Sequence, residues 1–350
     1  MARLLSIEEV LQETGLEESL LRFYESEYPD MLPKKVLRGD TLSFNSAAVD
    51  IFKKIHLLHS SGHSSVETLP KKSEYGRVIA VTSGKGGVGK TNIALNLAIE
   101  FQRQGKMTLL FDADLGMANV HLLAGITPCH DIMEVITAKR SITDLILEGP
   151  EGIGIIPGGG GILALADSTQ HERMLLVNAL EKVEKSAEII LVDTGAGMSA
   201  NVRDFLASAT ELLFVLTPDI TSLADAYGLL KSLHQENSLE GRPVYTVINM
   251  VQTLKQAAEV AHRFSSCARQ FLDREVLNIG YIMKDATVGA ATVRRTPYSV
   301  FRPQARVSIN TRNVAAALLK TERPEIRLSS AFGRYLHLVR DQSRKKCVMI

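Results

Sequence analysis

Nine consecutive residues, Ser83-Gly84-Lys85-Gly86-Gly87-Val88-Gly89-Lys90-Thr91, have the composition of a phosphate cradle. They follow the apolar run Val78-Ile79-Ala80-Val81-Thr82 and lead into a helical pattern over residues 90–104. A glycine-rich turn between a buried strand and a helix lets backbone N–H groups curl around an anion, and the helix N-terminus adds its positive end. Lys90 is placed to reach the β- and γ-phosphates of a nucleotide, and the Thr91 hydroxyl to ligate Mg²⁺. The spacing therefore predicts an ATP and Mg²⁺ site, with Gly84, Gly86, Gly87, Val88, Gly89, Lys90 and Thr91 around the phosphates.

Further polar groups stand at the ends of apolar runs, where an open parallel sheet holds its ligands. Leu109-Leu110-Phe111 runs into Asp112-Ala113-Asp114, and Ile189-Ile190-Leu191-Val192 into Asp193. A carboxylate at the Asp193 position would hold Mg²⁺ through water. Asp112 would lie near the same ion, and the plainer alternative for Asp114 is a helix cap. Thr246-Val247-Ile248 ends in Asn249, whose amide can both donate to and accept from an adenine edge or simply form a turn.

Positioning these groups requires alternating strands and helices. Strands are predicted at residues 78–82, 108–112, 153–156, 189–193, 212–216, 244–249 and 277–282, with helices such as 223–238 and 256–272 between them. That order predicts an α/β fold with a mainly parallel sheet covered on both faces over residues 78–320. Residues 1–70 read instead as a small all-α unit. Helices are expected at 7–14 with Ser6 and Glu9 as a capping box, at 17–26, and at 45–60 with Val49, Phe52 and Ile55 on one stripe. Residues 71–77 are polar and aperiodic, as in a linker.

The KGGVGKT loop resembles that of the MinD/ParA family of P-loop NTPases, in which the first lysine, here Lys85, reaches the nucleotide of a partner copy. The resemblance implies an ATP-sandwich homodimer, the alternative for Lys85 being a solvated surface lysine. It also implies that Asp114 orients the attacking water and that Asn249 contacts adenine. Thr194-Gly195-Ala196-Gly197 resembles the family's second switch, with Gly197 near the γ-phosphate. Within the family, residues 78–319 look like the FlhG (FleN) group. The stretches that carry this are Lys90-Thr91-Asn92, Asp114-Leu115-Gly116-Met117-Ala118-Asn119-Val120 and Thr217-Pro218-Asp219-Ile220-Thr221-Ser222-Leu223-Ala224-Asp225-Ala226-Tyr227. This implies a slow, partner-stimulated ATPase switch that sets flagellar number or placement, with partners such as FlhF or a FleQ-type regulator. The DQAxxLR motif with which such chains often begin is not present.

Residues 4–69 resemble the helix-turn-helix of MerR-type regulators through Leu5-Ser6-Ile7-Glu8-Glu9-Val10, Thr14-Gly15-Leu16, Leu21-Arg22-Phe23-Tyr24-Glu25 and Ile55-His56-Leu57-Leu58 with Gly62-His63-Ser64. DNA is the partner this implies. Against it, residues 1–70 carry 7 Lys/Arg and 11 Asp/Glu, and phosphate contacts want positive charge. Protein docking or a purely structural role is therefore the competing use, and a helix-turn-helix DNA-binding regulator or a ParA-type partition ATPase is the competing function.

The other end differs in charge. In residues 321–350 a stripe of Leu328, Phe332, Tyr335, Leu336 and Val339 is flanked by arginines, as in a helix that rests on an anionic membrane. MinD and FlhG proteins carry such a tail, and the alternative is that the stripe packs on the core. Overall the 350 residues are 45% hydrophobic and 23% charged with net charge +1, and the three cysteines have no metal-ligand or redox spacing. A cytoplasmic protein, peripheral on the inner membrane at most, is expected. An iron–sulfur carrier is excluded for want of paired cysteines.

Overall fold

The computed structural model describes residues 4–16, 18, 21, 36–38, 41–45, 48–49, 52–53, 76–114, 118–130, 134–135, 137, 139–158, 179–236, 238–239, 241–321 and 331. The chain divides into two compact units, residues 1–73 and 74–350.

In the first unit, β1 (Leu4–Leu5) leads into α1 (Ile7–Thr14). The expected capping box is formed: Glu9 N–H donates to Ser6 Oγ at 3.2 Å and Ser6 N–H to the Glu9 carboxylate at 2.8 Å. Gly15 ends the helix in the left-handed region, φ 73°. One expectation is corrected. The unit is not all-α, because β2 (Val36–Arg38) and β3 (Thr41–Asn45) pair antiparallel and β1 joins the other edge of β3. Asn45 therefore ends a strand rather than opening a helix. The alternation in Thr41-Leu42-Ser43-Phe44 has the period of a half-buried strand, and Phe44 is buried edge-to-face on Phe52 at 5.8 Å. Most of the expected second helix, and Ile55, lie outside the described residues.

The second unit is built on β4 (Arg77–Thr82), α2 (Lys90–Arg103), β5 (Thr108–Ala113), α3 (Val120–Ala124), β6 (Leu147–Glu148), β7 (Gly154–Ile156), β8 (Ile189–Thr194), α4 (Ala200–Ser208), β9 (Glu211–Leu216), α5 (Ile220–Gln235), β10 (Val244–Val251), α6 (Leu254–Leu272), β11 (Leu277–Met283), α7 (Thr287–Val293), α8 (Tyr298–Phe301) and α9 (Arg306–Lys320). The sheet order is β11-β10-β9-β4-β8-β5-β7-β6. All neighbours are parallel except the edge strand β6, which runs antiparallel to β7.

Every residue of β4, β5, β8 and β9 is buried, which is why these segments read as continuous apolar runs. Val78 and Ala80 join one hydrophobic core with Phe111, Phe205, Phe214 and Phe264. Their neighbours Ile79 and Val81 join the opposite core with Leu95, Phe101, Tyr298 and Leu318. A buried pin closes the base of β4: Arg77 makes a bidentate pair with Glu211 at 2.5 and 2.7 Å and donates to the Leu318 carbonyl and Thr321 Oγ1, both at 3.0 Å. No described helix is long and apolar enough to cross a membrane.

Candidate functional site

The loop Ser83–Gly89 leaves the top of β4 between its sheet neighbours β8 and β9 and turns into α2 at Gly89. Gly89 has φ 88°, and a Cβ there would meet Asn249 Nδ2 at 2.5 Å. Only glycine serves at this position, because it both turns left-handed and admits the neighbouring amide. Gly84 packs its Cα against the backbone of Asp225 and Ala226 in α5, closely enough that no side chain fits.

Around this loop lies a cavity of about 950 Å³. Lys85, Gly86, Gly87, Val88, Gly89 and Lys90 line one wall, and Thr91, Asn92, Asp114 and Asn249 also face the cavity. Sequence reasoning thus named most of its phosphate end. Four predicted residues do not line the cavity. Gly84 is buttressed by α5. Gly197, with φ 86°, donates its N–H to the Ser83 carbonyl at 3.2 Å, tying the second-switch segment to the loop. Asp112 and Asp193 sit beneath the floor, 0% and 1% exposed.

Asp112 does not aim both oxygens at open space. One oxygen accepts from Asp114 N–H at 3.2 Å and the other from Val120 N–H at 3.0 Å, so it anchors the two ends of the segment leading to α3. Burial, reinforced by the Asp193 charge, pushes its carboxyl up to about 7 against the pull of those two donors. Asp193 is different. Lys90 Nζ lies 3.5 Å from Oδ1, and neither carboxylate oxygen has a hydrogen-bond partner within the protein. Burial raises its pKa, opposed chiefly by the Lys90 ammonium. A buried carboxylate left two acceptors short beside a threonine hydroxyl of the phosphate loop fits a hydrated divalent cation. Among the described residues no group of three His, Cys, Asp or Glu side chains could hold a metal unaided. Such an ion would instead share its ligands with phosphate and water.

Lys85 stands at the cavity mouth, 44% exposed. It pairs with Asp219 at 2.6 Å and donates to Thr221 Oγ1 at 2.7 Å, at the N-terminus of α5. The hydrogen bond from Lys85 holds the Asp219 carboxyl below its ordinary range. Asn249 is buried and donates Nδ2–H to the Val88 carbonyl at 2.7 Å, so the same side chain braces the loop and borders the cavity.

The far wall was not anticipated. It comprises Met250, Ile282, Met283 and Val288, with Lys284 and Arg295 beside them. Met283 is the last residue of β11, which pairs parallel to β10 and so ends at the same edge of the sheet as Asn249. Met250 carries a positive φ of 57° at a register shift between β10 and β11, a signal visible only in the backbone.

A parallel sheet with a two-lysine phosphate loop at its central strand defines a P-loop ATPase of the MinD/ParA class. The solved structures agree in fold. MinD, the cell division ATPase of Pyrococcus furiosus, aligns with TM-score 0.58 at 22% identity over 70% of this chain and 99% of its own. MinD of Pyrococcus horikoshii complexed with Mg-ADP gives 0.58 at 22% identity over 70% and 96%. The AAA domain family matches residues 76–240, and the MerR HTH family regulatory proteins match residues 5–67. The antiactivator FleN of Pseudomonas aeruginosa is 33% identical over 240 residues, 68% of this chain and 85% of FleN. The flagellum site-determining protein YlxH of Helicobacter pylori is 33% identical over 193 residues, 55% of this chain and 64% of YlxH. The chain belongs to the FleN/FlhG family of MinD/ParA-type ATPases.

Proposed function

We propose that this ATPase is a dimerising switch that regulates the number or placement of flagella. The likeness to FleN and YlxH supports the output. The observation that carries the switch is Lys85, a second lysine at the cavity mouth, held by a half-exposed pair with Asp219 and a hydrogen bond to Thr221 Oγ1. Exposed pairs of this kind are weak and salt-screened, so Lys85 is free to exchange partners when a second copy brings its nucleotide. Lys90 and the backbone N–H groups of residues 84–91 bind and orient the phosphates, with Asn92 beside them at the start of α2. Asn249 borders the base. Asp114 positions the attacking water, and Gly197 couples the second-switch segment to the loop through Ser83.

Mg²⁺ would be held by Thr91 and, through water, by Asp193, and would supply charge neutralisation at the β,γ-phosphates. Asp112 is reassigned: its two backbone bonds make it the anchor of the Asp114 segment rather than a metal ligand.

Two variants of the full chain test this reading. Asp114→Ala should bind ATP normally and lose turnover by about a hundredfold, the usual scale for a positioned catalytic group. Normal hydrolysis would remove Asp114 from its role. Lys85→Ala should bind ATP yet stay monomeric by light scattering, and ATP-dependent dimers of that variant would overturn the sandwich.

A second reading is favoured by the match of residues 5–67 to MerR-type regulators and by the capped helix and antiparallel sheet found there. Here the first unit reads DNA, and ATP controls it. Sequence-specific retention of a flagellar promoter fragment by the full chain, lost with residues 1–73 removed, would favour it.

A further inference from the structure

Residues 284–306 carry five cations, Lys284, Arg294, Arg295, Arg302 and Arg306, and a single acid, Asp285. All five cations are exposed, and among the described residues none makes a close ion pair or a side-chain hydrogen bond. Asp285 offsets them only in part, through the charge of Arg302. Its carboxylate accepts from the backbone N–H groups of Thr287 at 2.8 Å and Val307 at 3.4 Å.

Two of the guanidiniums stand over one ring. Arg294 lies 5.1 Å and Arg302 5.2 Å from the centroid of Phe301. The ring attracts each cation, yet two like charges gathered on one side chain repel until an anion joins them. The segment that carries them is stiff. Ser299 donates both N–H and Oγ–H to Asn96 Oδ1, Ser308 Oγ donates to the Arg302 carbonyl at 2.8 Å, and Tyr298 is buried with its hydroxyl 2.8 Å from Thr311 Oγ1. Beside Arg294 in the chain, Val293 is 86% exposed, the highest value among the exposed large apolar side chains described.

We propose that this surface docks a short acidic segment of a partner protein, whose carboxylates engage Arg294 and Arg302 while an apolar residue covers Val293. Four of the five cations are arginines, and a guanidinium stacked on a ring is pre-set for the bidentate geometry of a carboxylate. A lipid surface needs only diffuse charge and gains little from cations fixed in direction. Nucleic acid fits less well. Phe301 is covered by guanidiniums rather than open for a base, and a phosphate backbone offers nothing to Val293. Lys284 and Arg295 also line the far wall of the cavity, whereas Val293, Arg294 and Arg302, which carry the docking, do not, so the proposal does not rest on the switch mechanism.

The test uses the full chain and a short dye-labelled peptide of alternating glutamate and leucine. Fluorescence anisotropy should show binding that weakens as salt rises. The same peptide with glutamine for glutamate should bind at least about tenfold more weakly, the loss expected when charge-assisted bonds are removed. Arg294→Glu/Arg302→Glu should abolish binding, Arg294→Gln/Arg302→Gln should weaken it, and Val293→Ser should reduce it by a few-fold. ATP turnover should be unchanged in each, which shows that the fold is intact. An equal charge change elsewhere, Lys182→Glu/Arg269→Glu, should leave the peptide bound. Peptide affinity that ignores the arginine variants would overturn the proposal. So would binding of duplex DNA or phosphatidylglycerol vesicles that depends on Arg294 and Arg302 while the peptide fails to bind.

Discussion

At the phosphate loop, single side chains decide what the backbone can do. Gly89 turns left-handed against the Asn249 amide, which in turn holds the Val88 carbonyl. Gly89→Ala should therefore abolish nucleotide binding outright. Asn249→Ala should keep the fold and weaken ATP affinity by about fivefold, since one buried hydrogen bond contributes about 1 kcal/mol. Calorimetric titration distinguishes the two, and equal losses would mean that Asn249 does not brace the loop. Asp112 gives a pH signature. An unfolded aspartate loses its proton near 3.8, whereas the folded one keeps it to about 7. Between those values the folded state binds the extra proton, so stability contributed by Asp112 falls as pH rises, by up to about 4 kcal/mol in total. Without nucleotide or Mg²⁺, the stability of wild type relative to Asp112→Asn should drop between pH 5 and 7, and a flat difference would count against a buried charge. Which residues face the cavity was legible where chemistry and position coincide, as at Lys90, Thr91 and Asn249. The use of Asp112 was not. Its donors, Asp114 and Val120, include one eight positions away, and only the folded loop brings that N–H within 3.0 Å.

Among elements, the strands with both faces buried were the easiest to read. β4, β5 and β8 combine apolar composition with a polar residue at or next to the ligand end, and β9 is an unbroken apolar run up to Leu216, so their ends fall within a residue or two of expectation. β6 has two residues on the sheet edge and no alternation to detect. The sheet of the first unit has short strands, and β3 offers only Leu42 and Phe44 as an alternating apolar pair. The Arg77–Glu211 pin was equally invisible, since it joins residues 134 positions apart. It also makes a prediction. Glu211→Ala leaves a buried guanidinium unpaired and should cost about 3–5 kcal/mol, whereas Arg77→Met/Glu211→Leu should recover most of that loss. Chemical denaturation of both variants checks it, and equal destabilisation would show that shape rather than charge matters there.

On the scale of the whole molecule, the C-terminal segment is fastened at two described points, Thr321 and Ala331. Ala331 is buried in the core, and its N–H donates to Glu184 at 3.0 Å. The arginine-flanked stripe lies outside the described residues. Deleting residues 332–350 removes most of the stripe and leaves the Ala331 and Thr321 contacts in place. Deleting 321–350 should lower the melting temperature as well, because it removes the Ala331 and Thr321 contacts. If the stripe is the membrane anchor, both deletions should release the ATP-bound protein from anionic liposomes. Retention by the shorter deletion would place the anchor elsewhere.

The pin at the base of β4 has a mechanical consequence. Thr321 is fastened to Arg77, where β4 begins, while the phosphate loop departs from its other end. Six residues of strand put about 20 Å between the two. Anything that grips the C-terminal segment thus moors the molecule by its heel. Within this unit the nucleotide loop then lies at the end of the strand opposite that mooring.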